Sequence, residues 1–204
     1  MNDVELILLA GGQGSRMGGD KLRLRDADGR LLVAAWFEKL NWPAPPRLVL
    51  PPLGVPPEEL AAWPVALDAV AGDGPLRGIE AAFAATNVDW LLVIAVDTPG
   101  IGRTQIDWLL GRRDGDPSAR LWMTRHDGRI EPFPLLIHRD LSAAVSRRLA
   151  EGQRSLHGLA DEPLARVIDA PREWDRSVWT NLNHPHDLTT YLTPTVRSST
   201  DECR

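Results

Sequence analysis

Val4-Glu-Leu-Ile-Leu-Leu-Ala-Gly-Gly-Gln-Gly-Ser-Arg-Met-Gly-Gly-Asp-Lys21 joins an apolar run to a glycine-rich loop. Val4 to Leu9 is short and almost uninterrupted, the pattern of a strand buried on both faces of a parallel sheet. From Ala10 to Ser15 nearly every residue is small or flexible. The backbone there can turn sharply and bring N–H groups against an anion with no Cβ in the way. Arg16 and Lys21 stand at the far side of the loop, one forked and one point-like cation suited to a polyphosphate.

Two familiar glycine loops do not fit. A Walker loop needs Gly-Lys-Ser/Thr after its spacer, whereas Gly19 is followed by Asp20-Lys21-Leu22, with no hydroxyl for magnesium. The dinucleotide fingerprint needs a further glycine where Met17 stands. What fits is L-A-G-G-x-G/S-x-R-M-G-x-D-K, at Leu9-Ala10-Gly11-Gly12, Gly14, Arg16-Met17-Gly18 and Asp20-Lys21. This pattern resembles the signature of the GT-A-type nucleotidyltransferases and, among them, of the molybdenum cofactor guanylyltransferase family.

The 204 residues suit one domain, with 43% hydrophobic and 25% charged residues, close to the usual soluble globular balance. Residues 1–193 are expected to form a single nucleotidyltransferase domain. Residues 194–204, polar and without apolar periodicity, are expected to be a mobile tail. The net charge of −5 argues against a nucleic-acid partner but leaves anionic small molecules open. Apolar runs such as Leu91 to Val96 are too short to cross a bilayer and the first residues lack a signal-peptide pattern, so a cytoplasmic protein with no membrane partner is expected. The single cysteine, Cys203, leaves no disulfide framework.

Along the chain, strand and helix patterns alternate, which predicts a mostly parallel sheet with helices on both faces, a three-layer α/β/α sandwich. Helical spacing spans Leu31 to Leu40, Pro57 to Trp63, Leu76 to Thr86, Arg103 to Arg112 and Arg139 to Glu151. Strand patterns cover Arg47 to Leu50, Pro64 to Leu67, Trp90 to Val96, Leu121 to Thr124, Ile130 to Ile137 and Leu164 to Ile168. His126-Asp-Gly-Arg129 reads as a hairpin turn. Trp90 to Val96 is the most apolar strand, and Asp97-Thr98-Pro99 ends it. A carboxylate at the carboxyl end of a central strand stands where open α/β sheets bind ligands, and it is a hard oxygen donor of the kind magnesium takes. A turn cap would explain Asp97 as well.

Further elements match the resembled family. Gly74-Pro75-Leu76-Arg77-Gly78 is similar to its G-P-L-x-G, Asp97-Thr98-Pro99 to its D-M/T-P, and Gly152-Gln-Arg-Ser-Leu156 to a G-x-R-S-L stretch. Glu131-Pro-Phe-Pro-Leu-Leu136 resembles its H/Q/E-P-L-F segment with a changed order. Asn181-Leu-Asn183-His-Pro-His-Asp-Leu188 resembles N-x-N-T-P-E-D-L, with His184 and His186 replacing threonine and glutamate. The second strand ends at Pro51, where some members carry a nucleotide-contacting asparagine.

The resemblance implies a Rossmann-like GT-A fold, GTP and molybdenum-molybdopterin as substrates, Mg2+ as cofactor, and transient contacts with cofactor-biosynthesis or molybdoenzyme-maturation proteins. It implies nucleotide contacts from Leu9, Ala10, Gly11, Gly12, Gly14, Lys21, Asp68, Gly74, Pro75, Leu76, Gly78 and Asp97. Arg16, Asn181 and Asn183 would face the acceptor. Arg16, Lys21 and Asp97 would form the catalytic set, with Asp97 holding the metal. No protein nucleophile is evident, since the core has no cysteine and no Ser/His pairing stands out. The chemistry inferred is in-line attack by an acceptor phosphate on the α-phosphorus of the nucleotide. A related transferase using CTP or a sugar phosphate, and a non-catalytic nucleotide-binding regulator, are the alternatives; Leu9-Ala10-Gly11-Gly12 favours guanine over the A-A-G of cytidylyl relatives.

Overall fold

The computed structural model describes residues 3–10, 21–182 and residue 187. Gly11, Gly12, Gly14, Arg16, Asn183 and the expected tail lie outside them.

Seven strands form one sheet. They are β1 (Val4–Leu9), β2 (Arg47–Leu50), β3 (Val65–Leu67), β4 (Trp90–Ala95), β5 (Leu121–His126), β6 (Arg129–His138) and β7 (Ala165–Asp169), in the spatial order β3-β2-β1-β4-β6-β5-β7. β1 lies between β2 and β4, parallel to both, with Leu9 opposite Val49 and Ala95. Only β6 runs against its neighbours β4 and β5, and β7 is parallel to β5. The carboxyl ends of β1 to β4 therefore share one edge, and the start of β6 comes to that same edge.

The apolar run of β1 is continuous because both faces are covered. Leu6 and Leu8 enter one core with Leu92 and Ile94, while Ile7 and Leu9 enter the other with Leu91 and Val93. The period of two along each strand sends alternate residues to opposite layers. The first layer holds α1 (Leu32–Leu40) and α3 (Arg103–Gly115), and Trp36 Nε1 donates to the Ile101 carbonyl at 2.8 Å. The second holds α2 (Pro75–Ala85) and α4 (Ser142–Ala150), facing the sheet through Leu76, Ile79, Val145 and Leu149. This is the expected sandwich.

One helical reading is shortened: Pro57 to Trp63 holds only the 3-10 turn Glu58–Leu60, in which Leu60 alone is buried, and Pro64 stops any continuation. The last helix begins as the 3-10 turn Arg139–Leu141 and becomes α-helical at Ser142. The Arg139 guanidinium is occupied elsewhere, donating to the carbonyls of Phe83, Thr86 and Val88 around the end of α2. Among the described residues no helix is long and apolar enough to cross a membrane.

Candidate active site

Lys21 Nζ and Asp97 Oδ2 lie 2.6 Å apart, bringing together two predicted residues 76 positions apart. The chain does this by pairing β1 and β4 in parallel: the N–H of Val96 donates to the Leu9 carbonyl at 3.1 Å, so both strands end side by side. Lys21 opens a 3-10 turn whose next residue, Leu22, is 2% exposed and anchors the turn in the core. Both charged side chains stay partly open, at 16% and 20%. Solvent and ligand can therefore reach them.

Asn181 joins this pair through the backbone. The N–H of Leu182 donates to the Asp97 carbonyl at 2.8 Å, and Leu182 itself is buried at 2%. Just beyond, Gly100 lies flat on the chain at Ser177 and Val178. A Cβ at Gly100 would collide with the Ser177 carbonyl oxygen and stand 2.9 Å from that of Val178. Gly100 was not among the residues singled out, and its only signal was its place after Asp97-Thr98-Pro99.

The second predicted loop follows β3. The N–H of Asp68 donates to the Leu50 carbonyl at 2.7 Å, and its Oδ1 accepts from the Val70 N–H at 3.2 Å. Burial raises the Asp68 carboxyl above the ordinary aspartate range, against the opposing hydrogen bonds from Val70 and Ala69. Gly74, with φ of 83°, precedes α2, and Pro75 takes its first position, where a missing N–H costs nothing. Leu9, Leu76 and Gly78 are buried; a Cβ on Gly78 would stand 3.0 Å from Leu9 Cδ2, so this glycine lets α2 approach β1. Leu9 and Leu76 have their side chains in the core, and the Leu9 carbonyl and the Leu76 N–H are taken by the Val96 N–H and the Arg154 carbonyl. Ala10 is half-buried, with its N–H on the Val49 carbonyl at 3.0 Å.

Beside α2, a cavity of about 300 Å³ is lined by Pro75, Pro132, Phe133, Arg154, Ser155, Leu156 and His157. Here the expectation of no Ser/His pairing needs correcting, because Ser155 Oγ lies 3.0 Å from His157 Nδ1. The same Oγ accepts from the His157 N–H at 3.2 Å, so the pair closes a local turn, and His157 Nε2 is 3.2 Å from the Ile130 carbonyl.

Among the described residues no three His, Cys, Asp or Glu converge as a metal cage. Asp97 offers one accessible carboxylate, and this fits magnesium, which takes one or two carboxylates and completes its shell with phosphate oxygens and water.

Comparison with known proteins places this geometry in a family. A molybdenum cofactor guanylyltransferase of Pseudomonas aeruginosa is 34% identical over 193 residues, covering 90% of this chain and 91% of that protein. Among solved structures, molybdopterin-guanine dinucleotide biosynthesis protein A of Archaeoglobus fulgidus superposes with a TM-score of 0.69 at 22% identity, over 92% of this chain and 96% of that one. The 2-C-methyl-D-erythritol 4-phosphate cytidylyltransferase of Thermus thermophilus gives 0.64 at 16% identity, over 93% and 97%, and shares the fold. Residues 6–168 match the MobA-like NTP transferase domain, and the chain belongs to that family.

Proposed function

We propose that this protein transfers GMP from GTP to the terminal phosphate of molybdenum-molybdopterin, giving the guanine dinucleotide cofactor and pyrophosphate. The observation that carries the reading is the Lys21–Asp97 pair at the carboxyl ends of β1 and β4, a cation and a hard anion held 2.6 Å apart. Family membership supplies the substrate class.

In this reading Lys21 exchanges Asp97 for a phosphate oxygen when the triphosphate enters. The acceptor is a phosphate monoester, whose second pKa is about 6, so it is largely dianionic at neutral pH and needs no protein base. One of its oxygens attacks the α-phosphorus in line, the α–β bridging bond breaks, and pyrophosphate leaves with the electron pair. Lys21 and Arg16 neutralise the charge that moves onto the phosphates. Asp97 would hold Mg2+, which would supply further neutralisation of the triphosphate oxygens. Asn181, strapped beside Asp97 through Leu182, would offer donor and acceptor to the neutral pterin, with Asn183 beyond it.

The test is a melting-temperature series with GTP, CTP, ATP and UTP, each with magnesium, followed by guanylyl transfer to molybdopterin. A nucleotide that binds only the folded state raises the melting temperature, and at equal concentration the tighter binder raises it more. GTP should stabilise most and yield the dinucleotide. Equal or greater stabilisation by CTP would overturn the guanine assignment, and binding without transfer to any pterin or sugar phosphate would favour a regulator.

A further inference from the structure

We infer that Asp73 is a positioning residue, clamping the nucleotide-facing turn onto the segment around Arg154 and so setting how tightly the triphosphate is held. The inference deepens the nucleotidyltransferase reading and rests on it.

The turn from Ala69 to Gly74 has little to hold it. It belongs to no helix or strand, Ala69 to Gly72 are exposed, and Gly72 and Gly74 have φ of 73° and 83°, a region where glycine carries no steric restraint. Asp68 closes only a local turn with Val70. Asp73 reaches out in two directions. Its Oδ2 accepts from Arg77 Nε at 3.0 Å and lies 2.9 Å from Arg77 Nη2, within the first turn of α2. Its Oδ1 accepts from Arg154 Nε, 81 residues further on.

Both cations are themselves fixed. Arg77 Nη1 donates to Glu80 at 2.7 Å, and Arg154 Nη1 donates to the carbonyls of Leu149, in the last turn of α4, and Gln153, just after it, at 2.8 and 3.0 Å. The backbone of the same segment completes the contact. The Arg154 carbonyl accepts from the Leu76 N–H at 3.2 Å, and a Cβ on Gly74 would stand 2.9 Å from both Arg154 Cβ and its carbonyl oxygen. The freedom that the glycines give the turn is thus opposed by one carboxylate together with this backbone contact. A turn already ordered before the nucleotide arrives does not have to be ordered by it, and that saving appears as affinity.

The test compares full-length Asp73→Asn with Glu5→Gln, reading KM, kcat and the melting shift produced by GTP and by CTP. Asparagine keeps the size but cannot pair with two guanidiniums. Glu5 accepts from Arg47 Nε at 2.9 Å, a part-buried ion pair at the start of β1 and β2, the sheet edge opposite the turn, so it controls for lost stability. Asp73→Asn should raise the nucleotide KM on the order of ten-fold, the scale of one charge-assisted hydrogen bond, with kcat changed far less. Glu5→Gln should lower the melting temperature and leave KM alone. Adding Arg154→Gln to Asp73→Asn should raise the nucleotide KM no further than the single change. An unchanged KM in Asp73→Asn, an equal rise in Glu5→Gln, or additive effects in the double variant would each overturn the clamp. If the wild type prefers CTP, the guanylyl reading fails, and the same variants tested on CTP still decide the clamp.

Discussion

The segment from Asp97 to Gly100 and the turn from Asp68 to Gly74 both follow strand ends on one edge of the sheet, yet they are held by different means. At Gly100 backbone rests on backbone: a Cβ would strike the Ser177 carbonyl, and Leu182 hydrogen-bonds back to Asp97. At Gly74 and Leu76 backbone also meets the Arg154 segment, but there a carboxylate, Asp73, ties the turn to two guanidiniums as well. The Gly100 contact carries no charge, whereas the second junction includes an ionised residue. Asp97 and Asn181, proposed to face metal and acceptor, therefore sit on a seam fixed by backbone alone, while the turn proposed to face the nucleotide has a tie that a single substitution can remove.

Gly100→Ala should give the largest effect, since the added methyl meets main-chain atoms that have nowhere to go. A loss of about 3 kcal/mol is expected, the upper end for overpacking, measured by denaturant unfolding, together with loss of transfer as residues 177–182 shift away from Asp97. A Gly100→Ala protein of normal stability and activity would break the contrast between the two junctions.

Asp97→Asn and Lys21→Ala come next. Each removes one charge from the pair without adding bulk, so folding should survive while transfer falls on the order of 10²-fold, the scale of a lost preorganised electrostatic contact. Lys21→Ala should lower kcat more than nucleotide affinity, because its cation faces charge that grows as pyrophosphate departs. Normal turnover in both would place the chemistry elsewhere.

The smallest effect is a pH dependence, and it belongs to the side-chain junction alone. Hydrogen bonding from Arg77, outweighing the cost of burial, and then from Arg154 lowers the Asp73 pKa below the ordinary aspartate value. A carboxyl depressed in the folded state contributes stability that is present above its unfolded pKa and lost as pH falls through the folded one. Melting curves of the wild type and Asp73→Asn should therefore differ at about pH 6 and begin to converge only below about pH 4, the ordinary aspartate value, as the pH falls through the lower folded-state value. A difference that stays constant across that range would show that the Asp73 charge is not what holds the turn.

The sequence alone was enough for the local elements whose signals are local. The unbroken run Trp90 to Val96 could only be a strand covered on both sides, and Arg47 to Leu50 began and ended where prolines required. The Leu9 to Lys21 pattern pointed to the family now shown by the match over residues 6–168, because a glycine loop with cations at fixed offsets is written in consecutive residues. Second uses of a residue were not legible: Arg139 opens the helical stretch as its pattern implies, but its guanidinium also caps the end of α2, and Gly78 lets α2 approach Leu9.

What only the tertiary structure decided is which distant residues meet. Lys21 against Asp97, Gly100 against Ser177, and Asp73 between Arg77 and Arg154 depend on strand order and on how closely two segments approach. No periodicity encodes a contact across 76 or 81 positions, because such a contact is fixed by the packing of the intervening layers. The composition and motifs determined the kind of site this chain could build. The parallel pairing of β1 with β4 and the return of the chain at Leu182 to Asp97 decided which of the candidate residues come together and what holds each side of them.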